Sequence, residues 1–124
     1  MTDNHRQDLR LNCAQTIFIE VRGSYPPDGK TDKLIICNSV DISANGIRAV
    51  IDQPLPESAI YQLCVEIHET GRQIFLSAQV KWCRKTDAGY EVGLLIFESD
   101  DTDIEHWKHH IAWQLKNSIS DDAD

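Results

Sequence analysis

Two arginines four positions apart, Arg6 and Arg10 in "HRQDLR", and an acid, a hydroxyl and a glycine within one turn, Asp41, Ser43 and Gly46 in "DISANG", are the residues whose types and spacing can do chemistry. A guanidinium is a permanently charged planar fork of N–H donors, so an RxxxR pair can grip phosphate oxygens bidentately where lysine cannot. A carboxylate accepts paired N–H donors, a hydroxyl donates or accepts one bond, and a glycine lets a ligand approach the backbone with no β-carbon in the way. RxxxR alone describes solvated arginines equally well, and DxSxxG alone describes a turn whose Asp and Ser bond to nearby backbone. Asn45–Gly46 between two apolar runs is a sufficient hairpin signal, because both residues tolerate positive φ. The acid and the hydroxyl therefore exceed what turning requires.

These groups sit among short strand-like runs. "AQTIFIEVR" (14–22) is rich in β-branched and aromatic residues and precedes a long Gly- and Pro-containing loop, "GSYPPDGKTD". "KLIICNSVDI" and "IRAVI" flank the Asn-Gly turn, and "PLPE" separates them from "AIYQLCVEIHE", where Tyr61, Leu63, Val65 and Ile67 alternate as in a half-buried strand. "TGRQ" turns into "IFLSAQVKWCRK", "TDAG" turns again, and "YEVGLLIF" makes a sixth run. Six strands joined mostly by hairpins, without intervening helices, predict an antiparallel barrel or two-sheet sandwich. The period then changes: Ile104, Trp107, Ile111 and Leu115 recur at spacings of three and four, predicting a final amphipathic helix that Asp101 or Asp103 can cap.

A chain of 124 residues fits one domain. Its formal charge of -8 argues against unspecific affinity for nucleic acid or anionic membranes, so an anionic ligand must meet a local cluster of positive charge. No apolar run reaches the roughly 18 residues that span a bilayer, and "MTDNHRQD" lacks a signal peptide's apolar segment, so a soluble cytoplasmic protein is expected. Cys13, Cys37, Cys64 and Cys83 form no CxxC pair and fall in strand-like stretches, as reduced structural thiols do.

With RxxxR just before the first strand, "DISANG" between the second and third, "QVKWCR" and "YEVGLLIF" as late strands, and a closing helix, nearly the whole chain resembles the PilZ domain family. Members of this family are six-stranded β-barrels that bind the bacterial second messenger cyclic di-GMP. The resemblance implies a mainly β fold, a six-stranded antiparallel barrel of split-barrel type with a C-terminal α-helix. Residues 1–12 would be a flexible segment carrying RxxxR, 13–118 the barrel and helix, and 119–124 an acidic tail. It further implies that Arg6 and Arg10 are the principal cationic contacts and that Asp41, Ser43 and Gly46 form the wall receiving a guanine and a phosphate. His5, Asn45 and Trp82 complete the set of candidate contacts.

The chemistry agrees. Guanidinium forks bond to phosphate oxygens or to guanine O6 and N7. The Asp41 carboxylate can accept from guanine N1–H and the exocyclic amine, which adenine does not present in that arrangement, and Ser43 can donate to a phosphate oxygen. Many members carry another arginine where this chain has His5, which leaves the number of stacked ligands open, and Asp8 can pair with either arginine. An indole at Trp82 can stack on guanine, or belong to the core or strand surface. With one leucine and the initial methionine as its only apolar residues, "MTDNHRQDLR" is expected to order only when ligand ties it to the turn.

No cofactor is expected beyond this ligand. His106 and His110 have the i, i+4 spacing of a metal pair but no HExxH context, so His106, His109 and His110 read as a solvated helix face without metal. There is no convincing nucleophile-base pair, and a binding module is expected in place of an enzyme. Its signal would pass to an unidentified effector protein, with Trp113 a candidate anchor opposite the helix's packing stripe, in motility, pili, biofilm formation or virulence. The alternative is a PilZ-fold adaptor acting independently of nucleotide, which the intact motifs disfavour.

Overall fold

The computed structural model describes residues 11, 14–21 and 33–122. Six strands, β1 (Thr16–Val21), β2 (Lys33–Ile42), β3 (Gly46–Ile51), β4 (Ile60–Glu66), β5 (Gln73–Thr86) and β6 (Gly89–Ile96), precede one helix, α1 (Ile104–Asp122). Every neighbouring pair is antiparallel, and the order β1-β2-β3-β6-β5-β4 closes because β1 also pairs with β4. The expected barrel and helix are thus observed, and no open sheet edge is left among these strands. The helix continues through Asp122, into the stretch expected to be a tail.

Period-two alternation builds the core. Ile17 and Ile19 of β1, Ile35 and Cys37 of β2, Ile47, Ala49 and Ile51 of β3, and Leu63 and Val65 of β4 point inward with their alternate neighbours outside. Ile74, Leu76, Ala78 and Val80 of β5 meet Val92, Leu94 and Ile96 of β6 in the same interior. Each Ile, Leu or Val among them contributes roughly 1.5–3 kcal/mol by leaving water. Ile104, Trp107 and Ile111 of α1 join this cluster, as their spacing predicts. Asp103 stands just before the helix. Its carbonyl accepts the Trp107 amide at 3.0 Å while its carboxylate accepts the Phe75 amide at 2.9 Å, so the expected capping acid ties the helix start to β5.

Two irregularities interrupt the alternation. In β2 the register with β3 runs Ser39↔Ala49 and then Asp41↔Arg48, leaving Val40 over. In β5 the register with β6 runs Val80↔Leu94 and then Trp82↔Gly93, leaving Lys81 over. Strict alternation from Ile35, Cys37 and Ser39 would aim Asp41 into the barrel, and from Ile74 to Val80 it would aim Trp82 there too. One extra residue in each strand reverses the phase and turns both side chains to the outer face.

The chain preceding β1 is fastened to β2. Leu11 donates to the Ile42 carbonyl at 2.7 Å and accepts from the Ile42 amide at 2.9 Å. Gln15, buried, accepts from the Ser39 amide at 2.9 Å and donates its own amide to Ser39 Oγ at 2.9 Å. Cys37 is buried, Cys64 and Cys83 are half-buried, and all three are free thiols. Burial pushes the Cys37 thiol up to about 11, which keeps it protonated and unreactive.

Candidate functional site

The β2–β3 hairpin differs from the Asn-Gly turn expected. Among the described residues positive φ occurs at Ser58, Gly71 and Gly89, not at Asn45 or Gly46. Ser43 and Gly46 instead bracket a tip made by Ala44 and Asn45. The Ser43 amide donates to the Gly46 carbonyl at 2.8 Å, and the Gly46 amide donates to Ser43 Oγ at 3.0 Å. The hydroxyl thereby takes the place that the Ser43 carbonyl has in an ordinary two-residue hairpin. That carbonyl accepts Trp107 Nε1–H of the helix at 3.0 Å. Ser43 is fully buried, so the residue expected to face a phosphate closes the turn and couples it to α1.

Beside the hairpin, a groove of about 420 Å³ is lined by Asp41, Asn45, Gly46 and Arg48 on one side and by Lys81, Trp82 and Gly93 on the other. Asp41, Arg48, Gly93 and Trp82 form one row in register across β2, β3, β6 and β5. Asp41 is 5% exposed, and its Oδ2 accepts two donors from Arg48, Nε at 2.9 Å and Nη2 at 2.6 Å. Arg48 Nη1 reaches Glu91 Oε2 at 2.7 Å. Glu91 Oε1 in turn accepts Arg84 Nη2 at 2.6 Å and Nε at 3.0 Å. The hydrogen bonds of Arg84, then of Arg48, hold the Glu91 carboxyl below its ordinary range against the opposing effect of burial. The hydrogen bond to Asp41 is the main cause that makes Arg48 a stronger base than usual.

Trp82 lies across Gly93. A β-carbon there would stand 2.4 Å from both Cε2 and Nε1 of the indole, so the missing side chain is the seat of the ring. The Arg84 guanidinium carbon lies 5.0 Å from the centre of that ring, in cation–π range. Two arginines sharing one carboxylate thus link the carboxylate wall of the groove to its aromatic wall.

Asp41, Asn45, Gly46 and Trp82 are therefore brought together on one groove. Arg6, Arg10 and His5 lie outside the described residues. Leu11, which follows Arg10 directly, is bonded to Ile42 between Asp41 and Ser43. Sequence reasoning missed Arg48, Lys81, Arg84, Glu91 and Gly93. Charges inside the apolar runs "IRAVI" and "YEVGLLIF", and a glycine inside the latter, were the available signals.

The three helix histidines are not uniformly solvated. His106 Nδ1 lies 2.9 Å from Arg72 Nη2, and since arginine only donates, His106 accepts there. His110 is half-buried with ring centres of Trp107 and Trp113 each 6.4 Å away, and its Nε2 is buried without a hydrogen-bond partner. Burial lowers its basicity. Trp113 is 56% exposed. No group of three or more metal-ligating side chains occurs among the described residues, and no helix among them is long and apolar enough to cross a membrane.

A model of the PilZ domain matches residues 4–113, a span that includes the barrel, the groove and most of the helix. The chain belongs to the PilZ domain family. Solved structures similar to this PilZ domain include the Bacillus subtilis inhibitor of motility MotI/DgrA, at 19% identity and TM-score 0.65 over 90% of this chain and 51% of that one. YcgR from Escherichia coli in complex with c-di-GMP is similar at 16% identity and TM-score 0.67, over 96% of this chain and 49% of that one. The K. pneumonia MrkH–c-di-GMP complex matches at 18% identity and TM-score 0.64, over 95% and 54%. At these identities the likeness is one of fold, and this PilZ domain spans about half the length of each of the three. No curated protein matches the chain.

Proposed function

We propose that this PilZ domain is a cytoplasmic cyclic di-GMP receptor that uses Arg6 and Arg10 together with the Asp41–Gly46 hairpin and passes the signal to a partner protein, without catalysis. The observation that carries this reading is the pairing of Leu11 with Ile42. Arg10 is one peptide unit, about 3.8 Å between Cα atoms, from a residue held beside Asp41 and Ser43. In this reading both motifs serve a groove that holds an acceptor for guanine's N–H donors in Asp41 and an aromatic platform in Trp82. Asn45, Gly46 and His5 are further contacts in this reading. That YcgR and MrkH were solved with c-di-GMP on the same fold is a second support.

The bond from Trp107 to the Ser43 carbonyl gives the hairpin a mechanical link to α1. The exposed Trp113 on that helix is a surface where a protein partner could sense a change. Motility, pili, biofilm formation and virulence are the processes in which such a partner would act.

Calorimetric titration with cyclic di-GMP and cyclic di-AMP, with the nucleotide checked for intactness afterwards, tests the reading. Binding of cyclic di-GMP, with much weaker binding of cyclic di-AMP, is expected. Absence of binding at saturating cyclic di-GMP would overturn it in favour of a nucleotide-independent adaptor, and cleavage would make the protein an enzyme.

A further inference from the structure

We propose that Arg48 is an internal stand-in for guanine on Asp41, so that nucleotide binding in this groove is an exchange of one guanidine fragment for another, with Glu91 retaining the displaced arginine. The inference rests on the cyclic di-GMP reading above. Guanine presents N1–H and its 2-amino group from one N–C–N fragment, two nearly parallel donors suited to a carboxylate. Arg48 presents the same fragment: Nε and Nη2 converge on Asp41 Oδ2 at 2.9 and 2.6 Å. A carboxylate oxygen has two lone-pair sites, and Arg48 fills both on Oδ2. A guanine using both oxygens of Asp41 must therefore move Arg48 aside.

Three features make the exchange workable. The Asp41 side chain is only 7% exposed, and a carboxylate so placed is costly without donors, two of which Arg48 supplies to Oδ2 until a ligand does. The Arg48 side chain is 35% exposed and stands in the groove wall, where it has room to turn. Arg48 already holds Glu91 Oε2 through Nη1 at 2.7 Å, and that second contact keeps the cation paired when the first is given up. Adenine lacks the paired donors and does not enter this exchange, so the competitor lowers affinity for the guanine ligand alone and weakening it should widen the preference for guanine.

Arg48→Lys keeps the charge but has no fork, and Arg48→Gln removes the charge and keeps one donor group. Titration of both variants and the native protein with cyclic di-GMP and cyclic di-AMP, alongside melting of the free proteins, tests the exchange. Arg48→Lys should bind cyclic di-GMP about threefold to tenfold tighter than the native protein. It should leave cyclic di-AMP unchanged and melt lower when free. For Arg48→Gln the lost charge weakens both nucleotides, yet the ratio of the two affinities should still widen toward cyclic di-GMP. A ratio that stays constant or narrows in both variants would overturn the proposal, making Arg48 a direct ligand contact or a structural ion pair. A native protein that binds no cyclic di-GMP would overturn the underlying reading and the exchange with it. Native binding with unaltered or reduced selectivity in the variants would overturn the exchange alone.

Discussion

Gly93→Ala tests whether the aromatic wall of the groove is seated as described. The added methyl carbon would lie 2.4 Å from Cε2 and Nε1 and 2.8 Å from Cζ2 of Trp82. Carbon contacts settle at about 3.5–4.0 Å, so the indole must retreat by about 1 Å. The Arg84 guanidinium carbon, 5.0 Å from the ring centre and fastened to Glu91, is a neighbour that this shift must accommodate. Overpacking costs about 1–3 kcal/mol, and the low end applies because Trp82 is half-buried and the far end of its ring can move. Urea unfolding of Gly93→Ala should therefore show a loss of about 1 kcal/mol. Binding of cyclic di-GMP should weaken by a good part of the roughly 1–3 kcal/mol that a base–aromatic stack contributes. The decisive control is the same substitution in a Trp82→Ala background. With no ring to displace, Gly93→Ala should then be neutral to within about 0.5 kcal/mol. An equal loss in both backgrounds would refute the seat, since the cost would then lie in the β6 backbone.

Arg6→Ala and Arg10→Ala should each weaken cyclic di-GMP binding by about tenfold to a hundredfold, the worth of a charge-assisted hydrogen bond, with no change in Tm. Native affinity in the double variant, measured by calorimetry, would remove both from the site. Asp41→Asn should lower both affinity and Tm, because the amide loses the charge that holds Arg48 at 2.6 Å. An unchanged melting curve would contradict that pairing. Hydrogen exchange should show residues 6–10 and 41–46 gaining protection together when cyclic di-GMP binds, and protection confined to one segment would break the proposed bridge. For His110, burial lowers the folded-state pKa from the ordinary 6.5, the Glu69 charge opposing it. Its contribution to stability is therefore full above pH 6.5 and lost as pH falls through the folded value. Replacing His110 with Phe should flatten that part of the Tm–pH curve, and an unchanged acid limb would show that the ring takes up its proton equally readily in the folded and unfolded states.

The strands and the helix were legible because period-two and period-3.6 patterns report directly on burial: Ile17 and Ile19, or Ile104, Trp107 and Ile111, could face only inward. Those patterns left barrel and sandwich open, and only the family resemblance chose the closed barrel. The hairpin was legible as a turn but not in its geometry. Asn-Gly signals positive φ only when both residues occupy the tip, and here the Ser43 hydroxyl shifts the closure one residue earlier. Of RxxxR and DxSxxG, chosen from residue types alone, only the second falls among the described residues, and its Asp41 and Gly46 line the groove. Residue types could not name Arg48 or Glu91, because whether a strand charge faces solvent or a neighbouring charge depends on register, and register depends on the bulges.

The bulges are also why the site exists at all. Continued without interruption, β2 would send a carboxylate and β5 an indole into an interior lined by Ile47, Leu76, Val80 and Leu94, where an unpaired charge is costly. Leaving Val40 and Lys81 over turns Asp41 and Trp82 outward onto a single row, and the two residues between them are those that can receive them. Arg48 pairs with the carboxylate, and Gly93 leaves room for the ring. The row is therefore a unit: Gly93 matters only because Trp82 is outside, and Arg48 can compete for Asp41 only because Asp41 is outside. Substitutions within it should couple across strands more strongly than their separation in sequence suggests.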